Sequence, residues 1–291
     1  VKADRNQWSG EVQTMAVVAK RSRSEWQALD CDHYLHPFTD HKDLREKKSR
    51  IITRADGAYI YDADDSEILD GMSGLWCVNV GYGREELVEV AAKQLQELPY
   101  YNSFFQCAHP PSIELSRLLQ EVSQSQFNKV FFTGSGSESN DTVVRMVRHY
   151  WNILGQPDKQ IIVSRINAYH GSTMAGASLG GMKPMHRQGG LPIPDIVHIE
   201  QPYWFGSDHS LSPDEFGLVM ARELEKKIEE LGIEKVAASG ATYGLEGQII
   251  TALRSCALKN SVASGLNTAV CIPSNSNPHT LGEHPRRTKY S

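Results

Sequence analysis

A chain of 291 residues has room for one large domain or two modest ones, and 40% hydrophobic, 22% charged and 8% aromatic residues is ordinary globular composition. Disorder, a collagen repeat and a disulfide knot are excluded as descriptions of the whole. The formal net charge of -5 supplies no basic field, which argues against nucleic acid as the main partner. Five scattered cysteines with no Cys-x-x-Cys pair read as reduced thiols, not as a zinc site or disulfide framework. No apolar run approaches the roughly 18 residues of a membrane span. The stretch from Met15 to Ala19 is too short for a signal peptide, so a cytoplasmic protein is expected.

Before Arg54 the chain is polar, with an aromatic patch over Tyr34-Leu35-His36-Pro37-Phe38. Two short strand-like runs, 50–53 and 58–61, flank Asp56-Gly57, a hairpin turn signal, and Ile68-Leu69-Asp70-Gly71 reads as another strand and turn. From Arg84 the period changes: Leu87, Val88, Ala91, Leu95 and Leu98 fall at helical spacing and Pro99 stops the run. Ser112 can cap a second helix carrying Ile113, Leu118, Leu119 and Val122. The apolar strand 129–133 runs directly into Gly134-Ser135-Gly136-Ser137-Glu138-Ser139. A helix then carries Val143, Val144, Val147, Tyr150, Trp151 and Leu154, with Gly155 where a C′ glycine belongs.

Buried strands follow at 160–164 and 195–199. Ser212-Pro213-Asp214-Glu215 opens a helix with an N-cap, a proline at the first helical position and a capping-box glutamate. Phe216, Val219, Met220, Leu224, Ile228 and Leu231 form its apolar face, and Gly232 ends it. One more strand begins at Lys235. Strands alternating with helices predict an α/β domain with a mainly parallel sheet.

Composition breaks near Val236. Residues 237–291 contain no Asp, Phe, Trp or Met, only the acids Glu246 and Glu283, and the bases Arg254, Lys259, Arg286, Arg287 and Lys289, a net charge of +3. The stretch from Ile272 to Thr280 has no apolar period and reads as poorly packed chain.

Three stretches carry chemistry. At the junction 130–150, Gly134 and Gly136 let the backbone turn sharply and face its N–H groups to a ligand, Ser135 and Ser137 add hydroxyls, and the helix N-terminus adds its dipole. That set suits a phosphate, although a plain strand-to-helix turn would use the same residues. It is neither a Walker A loop, lacking Gly-Lys-Ser/Thr, nor a dinucleotide fingerprint, since Ser139 holds the third glycine position. Tyr169-His170-Gly171-Ser172-Thr173 follows the strand 160–164 on the sheet's carboxyl edge, where a tyrosine could stack on a flat ring or simply be half buried. Phe38, Trp76, Tyr100, Tyr101, Phe104 and Phe105 form a dense aromatic set, at least half of it expected to be packing. His33, His36, His41 and His109 show no metal-ligand spacing.

Taken in order, His36–His41, Asp70–Asn79, Tyr100–Phe105, Phe132–Asn140 and Tyr169–Thr173 resemble the class III pyridoxal-phosphate-dependent aminotransferases, within them the ω-amino acid (β-alanine):pyruvate branch. The resemblance covers roughly 26–238. It implies fold type I: a large α/β domain, a small domain from both chain ends, and a homodimer with shared active sites. It implies that Ser135, Gly136 and Ser137 hold the phosphate of pyridoxal 5′-phosphate, that Tyr169 stacks on its ring with His170 beside it, and that Phe38, Trp76 and Phe104 line the substrate pocket. The implied reaction moves an amino group from an ω-amino acid or amine to pyruvate. No metal, membrane or nucleic acid is implied.

The family pattern also has a Glu-Pro segment after the strand at Lys235, an aspartate for the pyridine nitrogen and a Schiff-base lysine, and no match to these follows Ser239. Of the lysines there, Lys259 and Lys289, neither follows an apolar strand. The chain is therefore expected to divide into an unmatched leader (1–14), an N-terminal segment with short strands (15–75), a partial cofactor-binding α/β domain (76–238) and a divergent, poorly packed tail (239–291). A frame-shifted or truncated aminotransferase reading accounts for this, and the chain is expected to lack turnover. The alternative is a non-catalytic remnant that binds cofactor weakly or pairs with an intact subunit.

Overall fold

The structure, a computed structural model, describes residues 21–123 and 127–239 and the backbone of 269–273. The chain forms two compact units, 1–102 and 103–291.

In the first unit, α1 (Arg23–His33) opens on a capping box: Ser22 accepts from the Glu25 N–H and the Glu25 carboxylate accepts from the Ser22 N–H. No apolar period marks α1 in the sequence, and the helix buries no residue. Asp40 caps α2 (His41–Lys47) by its side chain alone, accepting from the Lys42 and Asp43 N–H groups. The expected hairpin is present: β1 (Ile52–Asp56) and β2 (Tyr59–Asp62) pair antiparallel through the turn at Gly57, φ 54°, and β3 (Glu67–Leu69) adds to β2. Asp70 then organises the short turn α3 (Ser73–Trp76): its carboxylate accepts from the Gly74 N–H at 2.7 Å and from the Tyr82 hydroxyl at 2.7 Å. Those two donors, the hydroxyl first, hold the Asp70 carboxyl below its ordinary range. Tyr82 also donates its N–H to Gly57 at 2.8 Å. The two bonds of Tyr82 join residues on both sides of the expected boundary between 75 and 76. The expected helix α4 (Glu85–Glu97) ends before Pro99.

The second unit begins with α5 (Pro110–Val122). Its start corrects the expected cap. Pro110 and Pro111 occupy the first turn, where missing N–H groups cost nothing, and Ser112 lies inside the helix with its hydroxyl donating to the His109 carbonyl. After β4 (Phe127–Phe132) comes α6 (Gly136–Ile153), which stops at Leu154 with Gly155 at φ 73° in the expected C′ position. β5 (Ile161–Arg165), α7 (Met174–Leu179), α8 (Lys183–His186), β6 (Ile196–Ile199), α9 (Pro213–Leu231) and β7 (Val236–Ser239) follow. α9 carries the predicted capping box and ends at Gly232, φ 89°.

β5 lies between β6 and β7, parallel to both, so the α/β expectation with parallel strands holds. Alternation along β5 splits the core in two. Ile162 packs with Val143, Val144, Val147 and Trp151 of α6 and Leu179 of α7 on one face. Val163 packs with Ile199, Leu224 and Val236 on the other. Burying each such aliphatic side chain stabilises the unit by about 1.5–3 kcal/mol. Trp151 satisfies its indole N–H on the Ala237 carbonyl at 3.0 Å. β8 (Ala269–Pro273) pairs antiparallel with β4, so part of the stretch expected to pack poorly runs as a strand. The rest of 239–291 beyond Ser239, with Lys259 and Lys289, lies outside the described residues, as does the leader 1–14.

Candidate functional site

α6 starts where β4 ends, and the sequence between them builds a tight turn into the helix N-terminus. Ser135 is the N-cap, its hydroxyl accepting from the Glu138 N–H at 3.2 Å. Thr133 ties the turn down, its hydroxyl donating to the Ser135 carbonyl at 3.0 Å. Glu138 folds back to accept from the Gly134 N–H at 2.7 Å. The N–H groups of Gly136 and Ser137 are first-turn donors with no intrahelical acceptor, and they point along the axis of an 18-residue helix.

The loop after β5 closes on this turn. Ser137 Oγ accepts from the Ser172 N–H at 3.2 Å, which leaves its own O–H to donate elsewhere. Gly171, at φ 122°, has no room for a side chain: a Cβ there would lie 2.4 Å from Ser137 Oγ. Three further bonds anchor the loop. Asn140 Nδ2 donates to the His170 carbonyl at 2.6 Å. Asp141 accepts from the Thr173 hydroxyl at 2.6 Å and from the Gly176 N–H at 3.0 Å. Asn140 and Asp141 were not singled out from sequence. Their signal is spacing, since 137, 140 and 141 share one helix face.

Tyr169 stands on that loop, exposed at 45%. His170 beside it is 3% exposed, and neither ring nitrogen finds a partner among the described residues. Burial, and secondarily the neighbouring His198, pushes the His170 pKa down to about 4, so the ring is neutral near pH 7. His198 is lowered as well, first by burial.

The structure thus brings Ser135, Gly136, Ser137, Tyr169 and His170 onto one helix start and one loop of the second unit. Phe104 belongs to the same unit, 71% exposed and 6.2 Å ring to ring from Phe105. Phe38 and Trp76 belong to the first unit, both at positive φ, 49° and 61°. Two amides, two hydroxyls and a helix N-terminus fit a phosphate monoester. The exposed Tyr169 ring offers an aromatic face to a flat ring attached to that phosphate, and the close packing of Gly171 on Ser137 holds the loop that carries Tyr169 beside the helix start. The Glu138 carboxylate adds one negative charge at the rim. Among the described residues no cluster fit for a metal ion occurs, and no helix is long and apolar enough to cross a membrane.

Known proteins share this arrangement of sequence and fold. Residues 43–261 match the family Aminotransferase class-III. Over 214 residues the chain is 63% identical to a putrescine–pyruvate aminotransferase of Pseudomonas aeruginosa, an alignment covering 74% of this chain and 47% of that protein. It is 44% identical over 190 residues to a vanillin aminotransferase of Capsicum chinense, covering 65% and 41%. Among solved structures, an (S)-enantioselective ω-transaminase from Thermomicrobium roseum superposes with a TM-score of 0.73 at 36% identity, covering 76% of this chain and 49% of that one. The ω-transaminase from Pseudomonas jessenii in complex with PMP gives 0.71 at 39%, covering 73% and 47%. The chain spans less than half the length of these curated relatives.

Proposed function

Because the chain belongs to the class III aminotransferases, a pyridoxal-phosphate-dependent family of fold type I, we propose that its second unit carries the phosphate- and ring-binding part of an aminotransferase site. The observation that carries the reading is the closure of Gly171 and Ser172 on Ser137, which puts the helix N-terminus beside the loop bearing Tyr169. Pyridoxal phosphate, when bound, supplies the electron sink for loss of a proton from the carbon bearing the amino group.

The chain's own residues bind and orient. The Gly136 and Ser137 amides and the Ser135 and Ser137 hydroxyls take the phosphate dianion, helped by the α6 dipole. Tyr169 offers its face to the pyridine ring, and the Asn140 bond to the His170 carbonyl fixes the height of that face. His170 is buried and neutral, so it adds no charge behind the ring. Phe104, in the same unit and 71% exposed, offers an apolar surface to the amino donor.

In this reading the lineage moves an amino group from an ω-amino acid or amine to pyruvate, supported by the names of its relatives. A homodimer fits the exposed Leu87, Val88 and Leu95 of α4, an apolar row that association would cover. For the polypeptide of 291 residues assayed by itself, we infer reversible cofactor binding without turnover, since no Asp follows residue 236 to meet the pyridine nitrogen.

Titration of the full chain with pyridoxal phosphate and with pyridoxal tests this. Ser137→Ala should weaken pyridoxal phosphate about tenfold, the worth of one hydrogen bond to a charged group, and weaken pyridoxal, which has no phosphate, much less. Tyr169→Ala should weaken both. Borohydride treatment should label no single lysine. Binding indifferent to both substitutions would refute the site, and one stoichiometrically labelled lysine with alanine production would refute the inactivity.

A further inference from the structure

We infer that His186 and His198 are positioning residues for the aromatic face at Tyr169, acting through the single peptide unit between Gly180 and Gly181; the inference rests on the reading of Tyr169 as the ring-binding residue. The two imidazoles come from different elements, α8 and β6, and meet with ring centroids 5.2 Å apart. His186 Nε2 lies 2.7 Å and His198 Nε2 2.9 Å from the same Gly180 carbonyl oxygen. Their second contacts are also carbonyls, Ala177 at 3.1 Å and Leu179 at 3.2 Å. A carbonyl only accepts, so both rings carry their proton on Nε2 and both donate.

The other end of that peptide unit is the Gly181 N–H, which donates to the Ala168 carbonyl at 2.9 Å. The Ala168 carbonyl in turn shares a planar peptide with the Tyr169 nitrogen. Two rigid planes therefore connect the histidine pair to Tyr169, and two donors on one carbonyl polarise the N–H at its far end. The Asn167 N–H returns a bond to the Gly181 carbonyl at 3.1 Å. Contact is close enough that a Cβ on Gly181 would sit 2.2 Å from the Arg165 carbonyl, so the segment lies flat on the backbone leading to Tyr169. This chain of contacts ends at Tyr169, ahead of Gly171 and Ser172, which hold the loop to Ser137 through their own contacts, so the pair acts on the ring face and not on the bonds of the phosphate site.

That separation gives the test. In the full-length chain the double variant His186→Ala/His198→Ala should weaken pyridoxal and pyridoxal phosphate alike, by about tenfold, while inorganic phosphate binding stays within twofold. His186→Gln/His198→Gln, whose amide N–H can replace the Nε2 donor, should restore pyridoxal binding to within about threefold of wild type. Hydrogen exchange at the Asn167 and Gly181 amides, the two that bond across this segment, should be fast in the alanine variant and protected in the glutamine variant and wild type. Unchanged pyridoxal affinity in the alanine variant, a parallel loss of phosphate binding, or a glutamine variant as weak as the alanine one would each overturn the assignment. Failure of the wild type to bind pyridoxal phosphate at all would instead remove the ring-binding reading, and the exchange arm alone would then decide whether the pair holds this backbone.

Discussion

Asn140 on α6 and His170 on the loop after β5 are 30 residues apart in sequence, both buried, and joined by an Nδ2–H to carbonyl bond of 2.6 Å. The bond ties the helix that supplies the phosphate donors to the loop that supplies the aromatic face. Asn140→Ala leaves a buried carbonyl without its donor, a loss of about 1–3 kcal/mol. Asn140→Asp should be worse, because it sets a carboxylate against that carbonyl. Urea denaturation of the two variants checks the order.

Gly171 should not tolerate alanine. Its φ of 122° lies where side chains are strained, and the added Cβ would lie 2.4 Å from Ser137 Oγ and 2.8 Å from Ser137 Cα. Relief requires the loop to lift off α6. Gly171→Ala should lower stability by on the order of 1–3 kcal/mol and weaken pyridoxal phosphate more than Ser137→Ala does, measured by cofactor titration.

Acid should destabilise the second unit before carboxylates titrate. The folded-state pKa of His170 is about 4, against about 6.5 for an unperturbed histidine. Between those values the unfolded chain binds more protons than the folded one, so stability falls as pH falls through that window. A difference of this size approaches about 3 kcal/mol at the low end. His198, lowered in the same direction, adds to the slope. His170→Gln should flatten the stability-against-pH curve between pH 6.5 and 4.5, read from denaturation midpoints at fixed pH values.

The start of α9 offers a control away from the site. Ser212 accepts from the Glu215 N–H, and Ser212→Ala should cost about 1 kcal/mol of helix stability. Thermal melts should shift, while pyridoxal phosphate affinity should not.

Much of the second unit was legible because its signals are local. The Ser212 capping box, the C′ position of Gly155 and the strand running into Gly134–Ser139 each reside within a few residues of chain. α1 is not legible from periodicity because it carries no apolar period, although Ser22 and Glu25 spell out its cap. α5 misled in the other direction, because Ser112 looks like a cap but Pro110 and Pro111 fill the first turn ahead of it.

By itself, the sequence determined the α/β alternation, the phosphate-like turn at 134–139 and the ordered motifs that mark the family, since these depend on backbone propensity and side-chain type at i to i+4. Only the tertiary structure decided that Gly171 must lack a side chain because Ser137 faces it, that Asn140 holds the His170 carbonyl, and that His186 and His198 share one carbonyl at Gly180. Those pairings follow from α6 and α7 packing onto the same face of β5, where Ile162 meets Val144 and Leu179. Close packing fixes which polar groups lie within hydrogen-bond reach across the core, and no local pattern records that distance.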